Sequence, residues 1–511
     1  MTAEPAPQRR DPFARVSDAL NPILVREVQQ AVKGRVFPLT ILLALGVSVV
    51  IASVVASEEG MEVDGRGAFD AGLATLAPLL LFVVPMQAYN SMRTELKSGI
   101  VEQLLMSRLG PGRVLVGKLQ AAMVQFVLYV SLLSPLLATS YLLRGVDLLT
   151  IVVSLLFALI ACVTATAFAV SSAAQAVVPA LQPIANLGVA FGLGLATFGA
   201  VAGIGSGEYA QGVGEMLRSR YAAAVMSGVA LAAAVSTTLS WLTARSYLMH
   251  AFEDKSSGFR VFLWILPLLV YGWMLAFIDP ADWHEMFPVL TFGLLLAAIA
   301  WGIFMVTEQR PFSPRVRHHL PTGRLTSALA APLLPGRDRG MLCFAMFAAA
   351  LVGVALLFWP RSAGPFAIHR VLGRVGLMTL AYGAVYLNLG LWWRGILPET
   401  VKANQAGRVF VPLLMFVLII VPLVIDALAQ GYVDDWHLGH VMNPFWTISR
   451  FTASRWDSAA PVVVAVLVVA TLVQVPCWVR GVRETTRAAA ARRRLAETGD
   501  AAPAAADGAD D

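Results

Sequence analysis

Residues 147–174 read Asp147-Leu-Leu-Thr-Ile-Val-Val-Ser-Leu-Leu-Phe-Ala-Leu-Ile-Ala-Cys-Val-Thr-Ala-Thr-Ala-Phe-Ala-Val-Ser-Ser-Ala-Ala174. After the opening aspartate no charge follows for the length of the run. About 20 mostly apolar residues cross a hydrocarbon core of about 30 Å, because each helical residue rises about 1.5 Å. This stretch therefore reads as a membrane span. Eleven other runs meet the same test. The first six of the set are approximately 37–56, 68–90, 114–143, 147–174, 180–205 and 221–247. The second six are approximately 260–279, 286–306, 341–359, 371–392, 409–430 and 459–479. The expected fold is all-α, a polytopic membrane protein of about twelve spans.

The whole chain has the composition that such a count requires. Of its 511 residues 58% are hydrophobic and 14% charged, with mean hydropathy +0.70. Soluble domains hold about 45–50% apolar and about 25% charged residues. A water-soluble enzyme, a disordered regulator and a nucleic-acid-binding domain are all poor matches. The net charge of +6 comes from basic residues spread over the loops and points to no nucleic-acid partner. Three cysteines, Cys162, Cys343 and Cys477, each lie in an apolar run and read as small core side chains.

Orientation follows from basic residues in short loops. With twelve crossings and both termini cytoplasmic, 29 of the 38 Lys and Arg fall on the cytoplasmic side. The first outer loop carries Glu58, Glu59, Glu62 and Asp64, and the last carries Asp426, Asp434, Asp435 and Asp457. A miscount by one span would scramble this bias. The expected organisation is a cytoplasmic lead and amphipathic interfacial helix at 1–36, a first membrane half at 37–250, a second at 251–480 and a disordered cytoplasmic tail at 481–511.

Residues 21–35 begin Asn-Pro-Ile-Leu-Val-Arg-Glu. Asn21 is a good N-cap, and Pro22 suits the first helical position. Leu24, Val28, Ala31 and Val32 share one face, with Arg26, Gln29, Gln30 and Lys33 opposite. Directly before a span, this reads as a helix lying on membrane lipids. The longest internal polar segment, 307–340, carries Arg310, Arg315, Arg317, His318, His319, Arg324, Arg337 and Arg339 among five prolines. It reads as a solvated loop touching anionic headgroups, with a docking surface as the alternative.

The loop after the second run differs from the others. Residues 93–118 read Arg-Thr-Glu-Leu-Lys-Ser-Gly-Ile-Val-Glu-Gln-Leu-Leu-Met-Ser-Arg-Leu-Gly-Pro-Gly-Arg-Val-Leu-Val-Gly-Lys. Leu96, Ile100, Leu104 and Leu105 form an apolar stripe at helical spacing, suited to a groove on a partner. Gly99 permits close backbone approach. Glu95 and Glu102, seven apart, lie near one helical face, where basic groups of a partner or Arg93, Lys97 and Arg108 could meet them.

The same stretch resembles the membrane-spanning permease subunit of ATP-binding-cassette exporters of the second membrane class (ABC-2). Glu95, Gly99, Glu102, Leu104, Leu105, Ser107, Leu109, Gly117 and Lys118 fill the places of that family's pattern. Arg108 stands where the family usually has proline, which here comes later as Pro111. The resemblance covers roughly residues 21–250; residues 251–511 match only as further membrane helices. It implies a cytoplasmic coupling helix at about 92–107, with Glu95, Leu96, Gly99, Ile100, Glu102, Leu104 and Leu105 as the ATPase-coupling residues. It implies a separate ABC ATP-binding subunit, a homodimer or a pairing with a second permease, and a place in the bacterial cytoplasmic (inner) membrane. It also places the first and fifth spans near the interface between permease halves. The fifth run has small residues at Gly188, Gly192, Ala196 and Ala200, a row that allows close helix packing or a dimer interface.

No catalytic residue, cofactor site or metal site is expected in this chain. Gly112-Arg-Val-Leu-Val-Gly117-Lys118-Leu119 has phosphate-loop spacing, but Leu119 stands where a Ser or Thr must reach Mg²⁺. ATP and Mg²⁺ are therefore expected on the partner. His437 and His440, beside Asp434 and Asp435, are one turn apart, a weak metal motif. No chain of Asp, Glu or His crosses a span, which argues against a proton-coupled pump. An ATP-independent carrier or channel, a membrane-embedded enzyme, and a scaffold or assembly factor are the rival readings. Leu333-Leu-Pro-Gly-Arg-Asp-Arg-Gly340 echoes Leu109-Gly-Pro-Gly-Arg113, so the second half reads as a degenerate repeat or as unrelated helices. If it is a repeat, only the first half keeps a recognisable coupling helix.

Overall fold

The structure, a computed structural model, describes residues 22–57, 65–106, 110–143, 145–175, 182–249, 253–308, 312–357, 380–390 and 456–498, with isolated positions between 411 and 443. Every regular element among the described residues is a helix. The chain divides into two compact units, Met1–Leu248 and Met249–Asp511.

In the first unit α1 (Pro22–Lys33) meets α2 (Val36–Ser57) at a bend of 60°. The polar and apolar faces of α1 are segregated, whereas α2 is apolar all round, so the chain turns where that pattern changes. Next comes one long helical rod, α3 (Gly65–Pro78), a π-helical turn (Leu79–Val83) and α4 (Val84–Lys97). Pro78 and Pro85 flank the π turn, and each lacks the N–H that a regular α-helix needs. The wider turn absorbs this defect. A short α5 (Ile100–Met106) follows, then α6 (Pro111–Leu142), α7 (Leu148–Gln175), α8 (Gln182–Gly205), a short α9 (Tyr209–Arg218) and α10 (Ala222–Leu248).

The rod is the core of this unit. Phe69, Leu73, Leu76 and Leu80 on one half pack with Phe126, Tyr129 and Leu133 of α6 and Cys162 of α7. Tyr89 and Met92 on the other half pack with Leu115, Ala169, Val170, Ala173 and Ala244. Asp70, buried in the rod, accepts a bond from the Ala210 backbone N–H at 3.1 Å and so holds the start of α9.

The second unit contains α11 (Ser257–Phe277), α12 (Trp283–Val306), α13 (Pro314–His319), α14 (Arg324–Ala330), α15 (Arg337–Leu357), a helical stretch at 380–390 and α16 (Trp456–Thr498). Phe259 stacks on Phe304, and Trp264 meets Phe347 edge-on. A Cβ on Gly340 would stand 2.8 Å from that of Met305, so this glycine lets α15 and α12 approach. Two amides join helices: Asn388 Nδ2 donates to the Ala470 carbonyl at 3.2 Å, and Gln474 Nε2 to that of Ala384 at 3.4 Å.

Seven helical rods among the described residues are long and apolar enough to cross a bilayer, eight if the bent pair α1–α2 counts as one span. Twelve crossings were expected; the runs at 371–392 and 409–430 lie largely outside the described residues. Of the tail expected to be disordered, 481–511, the part to Thr498 is helical and the rest lies outside the described residues. Helix α16 continues without a break to Thr498, because residues 483–497 are rich in Ala, Arg and Glu, all strong helix formers.

Candidate functional site

The single coupling helix expected at 92–107 is two helices. Helix α4 ends at Lys97, where the Ser98 N–H bonds the Thr94 carbonyl at 3.0 Å. Gly99 then takes φ +72°, a left-handed conformation that glycine adopts without strain, and α5 starts in a new direction. Ser107 to Leu109 lie outside the described residues.

The turn separates the two glutamates. Glu95 is 4% exposed, while Glu102 is exposed on α5. Seven-residue spacing puts two side chains on one face only within an unbroken helix, and Gly99 breaks it. The apolar stripe divides as well. Val101 is buried, and Leu96 and Leu105 pack against the same cluster as Tyr89 and Met92. Ile100 and Leu104 are half-buried. The surface that α5 turns outward is Glu102, Gln103 and Met106, the last 85% exposed. Leu96 and Leu105 hold this segment to its own unit.

Behind α5 lies a buried ionic knot. Lys118 Nζ stands 2.6 Å from Glu27 Oε1 and 2.9 Å from Glu95 Oε2. It also donates to Ser91 Oγ at 2.9 Å, and that hydroxyl donates to Glu27 Oε2 at 2.9 Å. Arg26 closes the knot on Glu95 Oε1 at 2.9 Å. Two carboxylates and two cations balance, and the Lys118 side chain has no exposed surface. Helices α1, α4 and α6 are thus tied together beside the loop that contains α5. Lys118 is one residue past the phosphate-loop-like glycine, but the chain is helical from Pro111 and the ammonium is fully engaged.

A second polar contact lies one turn up the rod. Tyr89 Oη donates to Asn186 Oδ1 of α8 at 2.6 Å, and Arg93 donates to the same oxygen and to Tyr89 Oη. Between α1, α4 and α6 a cavity of about 250 Å³ is bounded by Glu27, Gln30, Gln87, Ser91, Lys118 and Gln125.

The small-residue row on α8 turns away from the core. Gly188, Gly192 and Ala196 are exposed, with Leu187, Phe191 and Leu195 beside them at 60–72% exposure. Ala200 departs from this row and packs against the first core cluster.

The second unit has its own knot, which sequence reasoning missed. Arg260 is fully buried; its Nη2 donates to Glu308 Oε2 at 2.8 Å and to the Gly336 carbonyl at 2.9 Å. Its Nη1 donates to the carbonyls of Pro332 and Leu334. Glu308 also accepts from Ser256 Oγ and from the Gly336 N–H. Arg339 lies over the Phe312 ring, with Cζ 3.6 Å from the centroid, and reaches Glu484 at 3.3 Å. Burial first, and the nearby Arg260 guanidinium second, push the Arg339 pKa down to about 10, so it stays cationic at neutral pH.

The segment expected to be a solvated loop is therefore folded. Phe312, Val316 and Leu320 pack with Leu334 and Ala488. Arg337 and Arg339 are buried, while Arg317, His318, His319 and Arg324 remain exposed. The signal available in the sequence was the Arg–Asp–Arg cluster directly before an apolar run, a costly placement unless each charge has a partner. The Asp434–His440 loop lies outside the described residues, and among the described residues no group of His, Cys, Asp and Glu is placed to hold a metal.

No protein-family model matches this chain, no curated protein is similar to it, and no solved structure resembles it.

Proposed function

We propose that this chain is the permease of an ATP-driven exporter of the ABC-2 type, worked by a separate ATP-binding subunit. In this reading both termini are cytoplasmic, the chain crosses a bacterial inner membrane twelve times, and α5 receives the power stroke. The residue pattern from Glu95 to Lys118 motivates the family. The observation that carries the mechanism is the pairing of an outward-facing short helix with a buried ionic base. A push on α5 needs a stiff connection to the spans. The knot of Arg26, Glu27, Glu95 and Lys118 supplies it, linking the lever to α1, α4 and α6.

The revised lever changes the roles of its residues. Glu102, Gln103 and Met106 meet the ATP-binding subunit. Glu95, Leu96, Val101 and Leu105 transmit the force inward, and Gly99 is the hinge. Closure of the ATP-binding subunit displaces α5, the rod tilts, and cargo passes along faces such as the exposed row of α8.

The test is purification of the full chain from its native membranes. An ATP-hydrolysing subunit with its own phosphate loop is expected to co-purify. Glu102→Arg combined with Met106→Asp is expected to abolish that co-purification while leaving membrane insertion intact. Transport at full rate by the chain alone, without nucleotide, would overturn the reading.

A further inference from the structure

The cavity between α1, α4 and α6 has an open rim and a closed floor. Gln30, Val36 and Asn90 at its edge are exposed, while Val84, Lys118, Ala121, Ala122 and Gln125 are buried. Its volume is about 250 Å³, against about 30 Å³ for one water molecule in the liquid. A glycerol unit or one sugar ring fits such a space.

Two glutamines face it without a partner in the protein. Gln125, on α6, is 6% exposed, and its Oε1 accepts no hydrogen bond. Gln87, on α4, has both Oε1 and Nε2 shielded and unpaired. Native proteins pair nearly all such groups, so these three atoms call for a partner.

What they require defines its chemistry. The two Oε1 atoms need donors, and the Gln87 Nε2 needs an acceptor. An ammonium only donates, and an ionised carboxylate only accepts. A hydroxyl does both. Exchanging O and N in either amide does not alter this, because Gln87 needs both kinds in either orientation.

Charge gives the same answer. Lys118 is held by Glu27, Glu95 and Ser91, and the Glu27 carboxylate by Lys118 and Ser91. The knot is balanced, so an ion entering beside it meets no free counter-charge. Val84, Ala88, Ala121 and Ala122 make the rest of the wall apolar, which suits the C–H face of a polyol. Water pairs with amides too, but gains nothing from that apolar wall.

We infer that this cavity binds a neutral group with neighbouring hydroxyls, a glycerol or sugar moiety, carried by a lipid or by a free solute. Hydroxyls donate to Oε1 of Gln87 and of Gln125, and a hydroxyl oxygen accepts from Gln87 Nε2. The occupant lies between α1 and the rod, and so braces α1 beside the ionic knot. The site goes beyond the exporter reading and does not depend on it.

The experiment uses the full chain purified in lauryldimethylamine oxide, a detergent without hydroxyls. Three probes are compared: methyl β-glucoside as the free form, monoglucosyl diacylglycerol as the lipid form, and phosphatidylethanolamine with the same acyl chains as the control. Binding is read as a saturable rise in melting temperature and as adducts in native mass spectrometry. One glucosyl adduct per chain is expected, held at least tenfold more tightly than phosphatidylethanolamine. Gln87→Leu with Gln125→Leu should weaken it at least tenfold. That variant replaces the unpaired amides by apolar side chains of similar size, so without probe it is expected to melt no lower than the parent. Ala31→Leu narrows the cavity from α1 with both amides intact, and should weaken binding as well. Binding of the glucoside alone assigns the site to a free solute, and binding of the glucolipid assigns it to a headgroup; either supports the site. No glucosyl adduct on the parent, which leaves water as the occupant, would overturn it. So would equal affinity for the two lipids, or binding unchanged in the glutamine variant.

Discussion

Glu95 and Lys118 close a buried ion pair at 2.9 Å across the chain reversal that contains α5. One residue lies near the end of α4 and the other near the start of α6, so their contact fixes the two ends of the intervening loop to each other. Both side chains are almost fully buried. At such a site, loss of one partner is far more damaging than loss of all.

Lys118→Met tests that asymmetry. It leaves the buried Glu27 without a cation and Glu95 with the half-exposed Arg26 alone, and we expect a loss of about 3–5 kcal/mol. The triple change Glu27→Gln, Glu95→Gln and Lys118→Met should recover most of it. Thermal unfolding of the detergent-solubilised protein measures both. A Lys118→Met variant as stable as the parent would contradict the knot.

Arg260→Lys in the second unit is expected to fail despite its retained charge. A single ammonium cannot serve Glu308 and the three carbonyls at once, whereas the planar guanidinium does. Orphaned buried groups cost about 1–3 kcal/mol each. Limited proteolysis should show the segment 312–336 opening well before the apolar helices unfold.

Gly99→Ala should cost about 1–2 kcal/mol, the penalty of a left-handed conformation for a residue with a Cβ. No atom lies within 4 Å of the position of that Cβ, so strain is the whole effect. Gly99→Asn, which tolerates this conformation, should behave more nearly like the parent. Equal stability of the alanine and asparagine variants would remove the hinge.

Asn186→Leu removes the oxygen shared by Tyr89 and Arg93. Leaving the buried Arg93 with fewer acceptors is expected to cost about 2 kcal/mol and to loosen α8 from the rod. Hydrogen exchange should rise at the start of α8 and stay unchanged in α6.

The helical class was legible from apolar run length, since lipid offers the backbone no partner outside the helix. The amphipathic α1 and the breaks between the long apolar helices were equally legible, each being a matter of local spacing. Folding of the 312–340 segment was not, because its carbonyls at Pro332, Leu334 and Gly336 and its buried Arg339 find their partners far away in the chain, at Arg260 and Glu484. The tail showed its helix-forming residues, but not the packing of Ala488 against Phe312 and Leu320.

What the residues alone settled was where the chain is apolar and where it is charged, because hydropathy and helical period are properties of neighbours in sequence. Which glutamate is hidden and which is presented was decided only in three dimensions. A single left-handed residue at Gly99 rotates everything after it, and periodicity carries no memory across such a turn. The partners of Lys118 and Arg260 were likewise decided there, since an ion pair depends on distance in space, and that distance is set by how the helices pack.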